Sequence, residues 1–534
     1  MKKKPLLHIW LVSLAFLTYG FTLAVGVPSS AASTNSLRDI AGSYAASQIR
    51  SLYAAGIVSG DENGYFHPKS PVTRAEFVSM LDRTLGIKPV AGTVPVFADV
   101  PKSSWAYGYI QAAVSLNMAN GTSATAFSPN RTISRQEAAA FLVRALALKT
   151  SSSSKPSVKD AAAISDWART SVSAAMQKQW LVGFQGYFRP AAALSREETA
   201  VILKRILDEQ KGQTVSAKPL VSLGWQYQST TKEFIAQVQK TSVNTLSPRW
   251  YFLQKDGSIL DYSDPSLVKW AKDNGKKVWA LFGNQFDADA THAMLSDKAK
   301  RTAVVQKLGS FVDKYQLNGI NVDFEGFDPS DRDNFTAFIK ELATALHAKG
   351  AVLSVDIPPD TGTDWSEPFD FAKLSASADY LVLMAYEEHW AGSSQPGSVA
   401  SIPWFEYVIG SVLDDIPSQK LIVGMPLYTR DWYQAGGQWQ STDLTVPESY
   451  QRLSQYKANT GWDGGIGQYR SRYQMQGATH TIWLEESRSI SLKVQSSLNR
   501  QVGGLAYWYI GSESNDMWTA ITNAITLKQV RQRL

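Results

Sequence analysis

The segment 319–325, with the sequence GINVDFE, restricts the fold more than any other part of this chain. Side chains alternate along a β-strand, so Asn321, Asp323 and Glu325 share one face and the apolar residues between them share the other. Neighbouring side chains on one face stand about 6.6 Å apart. Two carboxylates at the end of one strand predict a catalytic site, and a solvated edge strand is the alternative.

Helical patterns flank this strand on both sides. Apolar residues recur with helical spacing between 298 and 315 and again between 331 and 349. A helix, a short strand and a second helix predict a parallel sheet covered by helices. An acidic face is costly to bury in such a sheet, which favours a functional reason for the carboxylates.

The C-terminal region 219–534 alternates short apolar strands with longer amphipathic segments. The candidate strands are 220–225, 244–252, 277–282, 319–325, 352–357, 380–386, 421–427 and 504–510. Eight such units predict an α/β fold, the (β/α)8 TIM barrel. A doubly wound sheet is the alternative, but no glycine-rich phosphate loop follows the first strand. The segment 428–481, rich in Gly, Trp and Tyr, is predicted to form extra structure that walls a cleft.

A threefold repeat occupies residues 37–210. A Phe-x-Pro element recurs at Phe66, Phe127 and Phe188, at intervals of 61 residues. Seven residues after each Phe, a Thr or Ser is followed three residues later by Glu, which is a capping box that begins a helix. The pattern predicts three all-α units, at about 37–90, 95–150 and 156–210, and a linker at 211–218.

The first 32 residues have the pattern of a signal peptide. Lys2, Lys3 and Lys4 precede an apolar run, and small residues at 30–32 offer a cleavage site. Retention of the run as a membrane anchor is the alternative. Removal of the three lysines lowers the formal charge from +6 to +3, so no nucleic-acid partner is predicted. Because the chain has no cysteine, disulfides and thiol chemistry are excluded, and a secreted protein on a Gram-positive surface is favoured.

The N-terminal repeat resembles S-layer homology domains. The resemblance rests on TRAE at 73–76, on the Phe-x-Pro elements, and on FADV at 97–100 with Trp105. It implies a pseudo-threefold helical bundle that attaches the protein to a cell wall by binding a secondary cell-wall polysaccharide. The resemblance makes Arg74, Arg135 and Arg196 the predicted polymer-binding residues, since a guanidinium can grip a carboxylate with two hydrogen bonds. A surface arginine in the first turn of a helix is the alternative.

The stretch 318–325 resembles the family 18 glycoside hydrolase signature, Asp-Gly-x-Asp-x-Asp-x-Glu. LMAY at 383–386 resembles the sixth-strand element of that family, and Trp508 its eighth-strand tryptophan. SPRW at 247–250, GNQFD at 283–287, EEHW at 387–390 and WLEE at 483–486 resemble the bacterial branch that includes spore-cortex N-acetylglucosaminidases. The resemblance implies a glycosidase that cleaves β-1,4-linked N-acetylglucosamine glycans, with peptidoglycan favoured because the anchor holds it to a wall.

The same resemblance implies a retaining mechanism in which the 2-acetamido group of the substrate is the nucleophile. Glu325 is the predicted general acid and then base, Asp323 holds the acetamido N–H, and Tyr386 donates its hydroxyl to the acetamido oxygen. Trp508 is the predicted floor under the sugar. Further predicted substrate contacts are Asn321, Trp250, Asn284, Asp356, Glu387 and Glu485. No cofactor is predicted, and no metal, because His389 beside the site lacks companions at metal-ligand spacing.

The chain departs from the signature at two positions. Asn318 and Asn321 replace its first two acids, which removes the carboxylate that would exchange a proton with Asp323. Two alternatives to the peptidoglycan hydrolase therefore stand: a chitinase, and a catalytically inactive glycan-binding wall protein. The retained Glu325 favours an enzyme.

Overall fold

The computed structural model describes residues 37–150, 156–212 and 219–534. The predicted signal segment, the serine-rich connector at 151–154 and most of the predicted linker lie outside these ranges. Within them, no helix combines the length and the apolar character needed to cross a membrane.

Six α-helices, two from each repeat, form the described part of the N-terminal bundle. They are α1 (Ala46–Ala54), α2 (Arg74–Thr84), α3 (Tyr107–Ser115), α4 (Arg135–Ala145), α5 (Arg169–Gln177) and α6 (Arg196–Lys211). Helices α2, α4 and α6 begin with the three predicted capping boxes, in which Thr73, Ser134 and Ser195 each accept the backbone N–H of the Glu three residues on. The repeat pattern therefore predicted the starts of these helices correctly.

Arginine side chains connect each repeat of the bundle to the next. The side chain of Arg74 pairs with Glu137 of the second repeat at 3.0 Å and donates through Nε to the carbonyl oxygen of Phe127 at 2.9 Å. Arg135 makes the same two contacts in the third repeat, and Arg196 makes them in the first. The contacts run from repeat one to two, two to three and three to one, as a pseudo-threefold arrangement requires.

Residues 219–534 contain fifteen strands. They are β1 (Val221–Trp225), β2 (Thr245–Ser247), β3 (Arg249–Leu253), β4 (Ile259–Asp261), β5 (Lys277–Gly283), β6 (Gly319–Asp323), β7 (Val352–Ile357), β8 (Tyr380–Met384), β9 (Leu421–Pro426), β10 (Tyr428–Ala435), β11 (Gln438–Thr445), β12 (Asn459–Asp463), β13 (Gln468–Met475), β14 (Ala478–Leu484) and β15 (Gly504–Trp508).

Ten helices accompany these strands. They are α7 (Thr231–Val238), α8 (Pro265–Asp273), α9 (Ala288–Leu295), α10 (Lys298–Tyr315), α11 (Arg332–His347), α12 (Phe371–Ser377), α13 (Ile402–Val412), α14 (Val446–Gln455), α15 (Ser487–Asn499) and α16 (Asn515–Arg533).

Eight parallel strands close into a barrel, in the order β1, β2, β5, β6, β7, β8, β9 and β15, and β15 pairs back with β1. This confirms the predicted (β/α)8 fold. The second predicted strand is split into β2 and β3, and β3 forms a small hairpin with β4 outside the closed ring. A buried cluster that includes Trp225, Trp279 and Leu281 fills the barrel, so any site must lie at its mouth.

An antiparallel sheet is inserted after β9, the seventh strand of the barrel. Its five strands follow the order β11, β10, β14, β13 and β12, and α14 packs beside it. The sequence predicted extra structure in this segment, and the alternating burial along β13 explains why it forms a sheet with one covered face.

The bundle packs against the helical wall of the barrel. Helix α15 contacts α3, and Gln495 donates to the carbonyl oxygen of Ser115 at 3.1 Å. Asn523 on α16 exchanges two hydrogen bonds, of 2.9 and 2.7 Å, with the backbone of Lys88. These contacts hold the two parts of the molecule together through polar groups as well as apolar ones.

Candidate active site

A cavity of about 210 Å³ opens where the barrel strands end. Its lining residues are Trp225, Asp323, Glu325, Asp356, Met384, Tyr386, Glu387, Tyr428 and Trp508. Most of them lie at or just beyond the carboxyl end of a strand, which is the end of a (β/α)8 barrel where active sites form.

Three carboxyl groups share this cavity. Asp323 is the last residue of β6, Glu325 lies in the loop that follows, and Asp356 is on the adjacent strand β7. Asp323 and Glu325 are partly exposed, whereas Asp356 is 2% exposed. Within the described residues, Oδ1 of Asp323 has no hydrogen-bond partner. Among the described residues, none of these three carboxyl groups forms a salt bridge with a cationic side chain.

The shared burial changes how these groups titrate. Burial, together with the negative charge of Asp323, raises the pKa of Glu325 to about 8. Burial raises the pKa of Asp323 to about 6, against the opposing charge of Arg249. Burial and the charge of Asp323 also hold the pKa of Asp356 well above its usual range. Near neutral pH, Glu325 is therefore protonated and Asp323 ionised, as an acid and its charged partner need to be.

Glu325 lies two residues beyond the observed end of β6, although the sequence predicted it within the strand. Asn284 holds the loop there, because its Oδ1 accepts the backbone N–H of Glu325 at 3.0 Å and its Nδ2 donates to the carbonyl oxygen at 2.8 Å. Gly326 follows with a φ of +64°, a conformation that side-chain-bearing residues rarely adopt. The structure thus makes Asn284, 1% exposed, a positioning residue, which corrects its prediction as a substrate contact.

Asn321 lies beneath the cavity rather than on its wall, which corrects its prediction as a substrate contact. It is fully buried, and its Oδ1 accepts from Nε1 of Trp225 at 3.0 Å and from Oγ of Ser247 at 2.9 Å. Its Nδ2 donates to Oδ1 of Asp356 at 2.7 Å. The amide that replaces the acid of the signature therefore orients a carboxyl group on the next strand.

Two aromatic side chains form one side of the cavity. The rings of Trp508 and Tyr386 lie 6.4 Å apart and nearly parallel, at 14°. Trp225 meets Trp508 edge-on at 5.8 Å. Burial and the charge of Asp356 raise the pKa of Tyr386 well above its usual value, so its hydroxyl keeps its proton and remains a hydrogen-bond donor. Tyr386 and Trp508 both line the cavity, and their contacts with a substrate stay a prediction.

Glu387 lies at the rim of the cavity and is held in place by the inserted sheet. Arg430 donates to both of its carboxylate oxygens at 3.0 Å, and the hydroxyl of Tyr428 also donates to it. Arg430 pairs in addition with Asp443 at 2.7 Å. Sequence reasoning missed Tyr428 and Arg430, although their position just after the seventh barrel strand was a usable signal.

Glu485 does not line the cavity, which corrects its prediction as a substrate contact. It is fully buried, and Nζ of Lys493 lies 2.7 and 2.9 Å from its two carboxylate oxygens. Gln468 and Ser489 donate to the same carboxylate. Trp250, 4% exposed, lines a separate neighbouring cavity instead of the one that holds the carboxylates.

The three predicted polymer-binding arginines take part in the contacts between repeats. Arg74 and Arg135 are 2% and 4% exposed. Arg196 is more open and lines a groove of about 430 Å³ together with Asp61, His67 and the exposed Trp105. Most of the hydrogen-bond donors of these arginines already bond to the neighbouring repeat. Binding of a polymer by the three arginines stays a prediction.

A closed (β/α)8 barrel with two acids at its mouth has the arrangement that many glycosidases use, and here it is joined to a threefold helical bundle. Residues 224–513 match the model for glycosyl hydrolases family 18, and residues 36–78, 96–139 and 159–200 match the S-layer homology domain. The chain belongs to glycosyl hydrolases family 18. Its S-layer homology domains bind cell-wall polysaccharide and associate it with a bacterial cell wall or S-layer.

Known proteins of this kind are similar to the barrel region. The uncharacterized glycosylase YvbX of Bacillus subtilis strain 168 is 28% identical over 294 residues, 53% of this chain and 84% of that protein. The cortical fragment-lytic enzyme of Bacillus anthracis is 23% identical over 287 residues, 51% of this chain and 66% of that protein. The crystal structure of a chitinase from Chromobacterium violaceum superposes with a TM-score of 0.54 at 26% identity, covering 57% of this chain and 99% of that one.

Proposed function

We propose that this protein hydrolyses β-1,4-linked N-acetylglucosamine glycans of the cell wall, with peptidoglycan as its substrate, and that it retains the anomeric configuration. One observation carries the proposal: a glutamic acid with a pKa raised to about 8 lies beside an aspartate in the cavity at the barrel mouth. One relative is named for the lysis of cortical fragments, which supports a wall glycan. The similarity to a chitinase makes chitin the second candidate.

The geometry supports a division of labour among the cavity residues. Glu325 gives its proton to the glycosidic oxygen as the bond to the departing sugar breaks, and it later takes a proton from the attacking water. The acetamido oxygen of the substrate attacks the anomeric carbon from the opposite side. Ionised Asp323 accepts the acetamido N–H and stabilises the positive charge that develops on the ring. Tyr386 donates to the acetamido oxygen, and Trp508 packs beneath the sugar.

Asp356 supplies the carboxyl group that Asn321 lacks. It accepts a hydrogen bond from Asn321, and the negative charge of Asp323 raises its pKa. Burial and the charge of Asp323 raise the pKa of Asp356 well above its usual range, which favours the protonated form of Asp356 and so favours ionisation of Asp323 beside it. A carboxyl group on the neighbouring strand thus takes the place of the one missing from the signature.

The bundle supplies attachment to the wall. We assign residues 1–32 to an export signal, 37–210 to the S-layer homology repeats, 211–218 to a linker and 219–534 to the catalytic barrel. A pyruvylated secondary polysaccharide of a Gram-positive wall is the ligand proposed for the bundle, with the groove lined by Arg196 as its site. In this arrangement the enzyme is secreted and then held close to its substrate.

The decisive experiment compares wild-type protein with Glu325→Gln on peptidoglycan and on chitooligosaccharides. The wild type is expected to release reducing ends, and the variant to be slower by about 10²- to 10⁴-fold, because an amide cannot transfer the proton. Both proteins are expected to unfold at the same temperature. Glu367→Gln, an exposed glutamate on the barrel, is the matched control and is expected to leave turnover unchanged.

Two outcomes would contradict the proposal. Binding of glycan by the wild type without any release of reducing ends would favour the inactive wall-binding protein. Faster turnover of chitin oligomers than of wall glycan would favour the chitinase.

A further inference from the structure

A second cavity of about 460 Å³ lies beside the catalytic one. It is lined by residues 226–231 of the loop after β1 and by Arg249, Trp250 and Tyr262. Tyr227 forms the boundary between the two cavities, because its ring lies 5.3 Å from the ring of Trp508, which lines the catalytic cavity. A glycan longer than one sugar can therefore extend from the catalytic cavity into the second one across an aromatic surface.

Arg249 gives this second cavity a positive charge without a partner. Its guanidinium lies 5.3 Å from the centre of the Tyr227 ring and 5.5 Å from that of Phe252. Its Nε is buried and has no hydrogen-bond partner within the described residues. Its charge acts through space against the rise in the pKa values of Asp323 and Glu325, without a hydrogen bond to either carboxylate.

Arg249 is partly exposed and forms no salt bridge within the described residues, unlike several of the buried arginines. Arg74, Arg135 and Arg430 each pair with a carboxylate at 3.0 Å. Burying a guanidinium donor without a partner costs free energy, so an anion that enters the cavity recovers part of that cost by pairing with Arg249. A neutral sugar in the same place leaves the donor unpaired.

We propose that the second cavity binds an acidic sugar, an N-acetylmuramic acid unit whose lactyl carboxylate is free, and that Arg249 pairs with that carboxylate. This rests on the proposed function and names the unit next to the sugar that occupies the catalytic cavity. In a glycan that alternates N-acetylglucosamine with N-acetylmuramic acid, the neighbour of an N-acetylglucosamine is always the acidic unit. In chitin every unit is neutral, so Arg249 discriminates between the two polymers.

The test compares two tetrasaccharides with the full-length protein. One alternates N-acetylglucosamine with peptide-free N-acetylmuramic acid, and the other is chitotetraose. Arg249→Gln is expected to lower kcat/KM for the acidic substrate about 10- to 100-fold relative to chitotetraose, mainly through KM, because a charge-assisted hydrogen bond is lost. Arg249→Lys keeps the charge but cannot form two parallel hydrogen bonds to a carboxylate. Its preference for the acidic substrate is expected to lie between those of the wild type and Arg249→Gln.

The readout is the ratio of the kcat/KM values for the two substrates, because Arg249 also affects the pKa values of the catalytic carboxyl groups. Its removal moves the pH profile to higher pH for both substrates alike, so each protein is assayed at its own optimum. Lys255→Gln, which removes an exposed positive charge from the turn after β3, is the control and is expected to leave the ratio unchanged. An unchanged ratio in Arg249→Gln would overturn the proposal.

Binding separates this proposal from the hydrolytic function itself. Titration of Glu325→Gln protein with the same two tetrasaccharides is expected to show tighter binding of the acidic one, and the added Arg249→Gln change is expected to abolish the difference. If this preference is found while wild-type protein turns over neither substrate, the proposed function fails and the acidic-sugar site stands. Equal binding of the two tetrasaccharides would overturn the site.

Discussion

The arginines that join the repeats of the bundle and the carboxyl groups at the barrel mouth are all shielded from solvent, but their surroundings differ. In the bundle, the guanidinium of Arg135 pairs with Glu198 at 3.0 Å and donates to the carbonyl oxygens of Phe188 and Val182. At the barrel mouth, Asp323, Glu325 and Asp356 share one cavity, and all three have raised pKa values.

The presence or absence of a partner separates charged groups that stabilise the fold from titratable groups that can take part in a reaction. A buried charge with a partner contributes to a specific arrangement of the fold. When that charge is removed, its partner stays buried without a compensating charge, which costs free energy. A buried acid without a cation is costly to the folded state, but its shifted pKa suits it to proton transfer. The distinction also holds inside the barrel, where Glu485 is paired with Lys493 and Glu325 is not paired with any cation in the described residues.

The largest expected effect comes from changing an unpaired charge at the barrel mouth. Asp323→Asn is expected to lower kcat by about 10²- to 10³-fold, because the amide cannot stabilise the positive charge on the sugar ring. It is not expected to lower the thermal unfolding temperature, because it removes a buried carboxylate without a hydrogen-bond partner on Oδ1. Steady-state kinetics and thermal unfolding of the same preparation measure both. A strongly lowered unfolding temperature would make Asp323 a structural residue.

A paired charge in the bundle is expected to show the reverse. Arg135→Met is expected to destabilise the bundle by about 3 kcal/mol, at the low end for a broken buried pair because the Glu198 side chain is 28% exposed. Turnover of a soluble oligosaccharide is expected to stay unchanged. Denaturant unfolding and the kinetic assay measure the two effects, with the exposed Arg50→Met as the control. Equal stability of the two variants would refute the structural role of Arg135.

A smaller effect is expected from pH. Outside the pH range in which Asp323 is ionised and Glu325 is protonated, the rate is expected to fall about tenfold per pH unit. The plot of kcat/KM against pH is expected to be bell-shaped, rising as Asp323 ionises near pH 6 and falling as Glu325 ionises near pH 8. A profile that stays flat between pH 5 and pH 9, values chosen to lie about one unit outside the two limbs, would contradict the assigned protonation states.

The same kind of titration predicts opposite effects of pH on stability for the barrel-mouth acids and for Glu137 of the bundle. The pKa values of Asp323 and Glu325 are raised on folding, so their contribution to stability is fully present below their ordinary pKa of about 4 and is lost as the pH rises through about 6 and 8. Burial raises the pKa of Glu137 in the bundle, but hydrogen bonds from Arg131 and Ser134 lower it by more. Its contribution is therefore present above its ordinary pKa and is lost as the pH falls through the lowered one.

The smallest expected effect is that of Asp356→Asn. The amide resembles a protonated carboxyl group in shape and charge, so the low-pH limb of the profile is expected to stay near 6, with kcat reduced by about tenfold or less. The pH profile of the variant measures this. A shift of that limb to lower pH would show that Asp356 is ionised in the wild type.

Much of the fold was predictable from local sequence patterns. The three capping boxes predicted the starts of α2, α4 and α6, and alternation along 319–325 predicted that Asp323 and Glu325 share a site. Both signals are local, because a capping box spans four consecutive residues and two neighbouring side chains on one strand face span three. The same reasoning failed for Glu485 and Asn284, where an acid and an amide near strand ends were predicted to face the substrate.

The sequence by itself determined the barrel, the repeat and the acid pair, because the spacing of apolar, capping and acidic residues along the chain specifies each of them. Only the tertiary structure decided which charges have partners. Lys493 comes eight residues after Glu485 and neutralises it, whereas Arg249 lies far along the chain from Asp323 and Glu325, whose rise in pKa its charge opposes. Pairing depends on distances in space between distant segments, and those distances set the cost of burial that separates a structural charge from a reactive one.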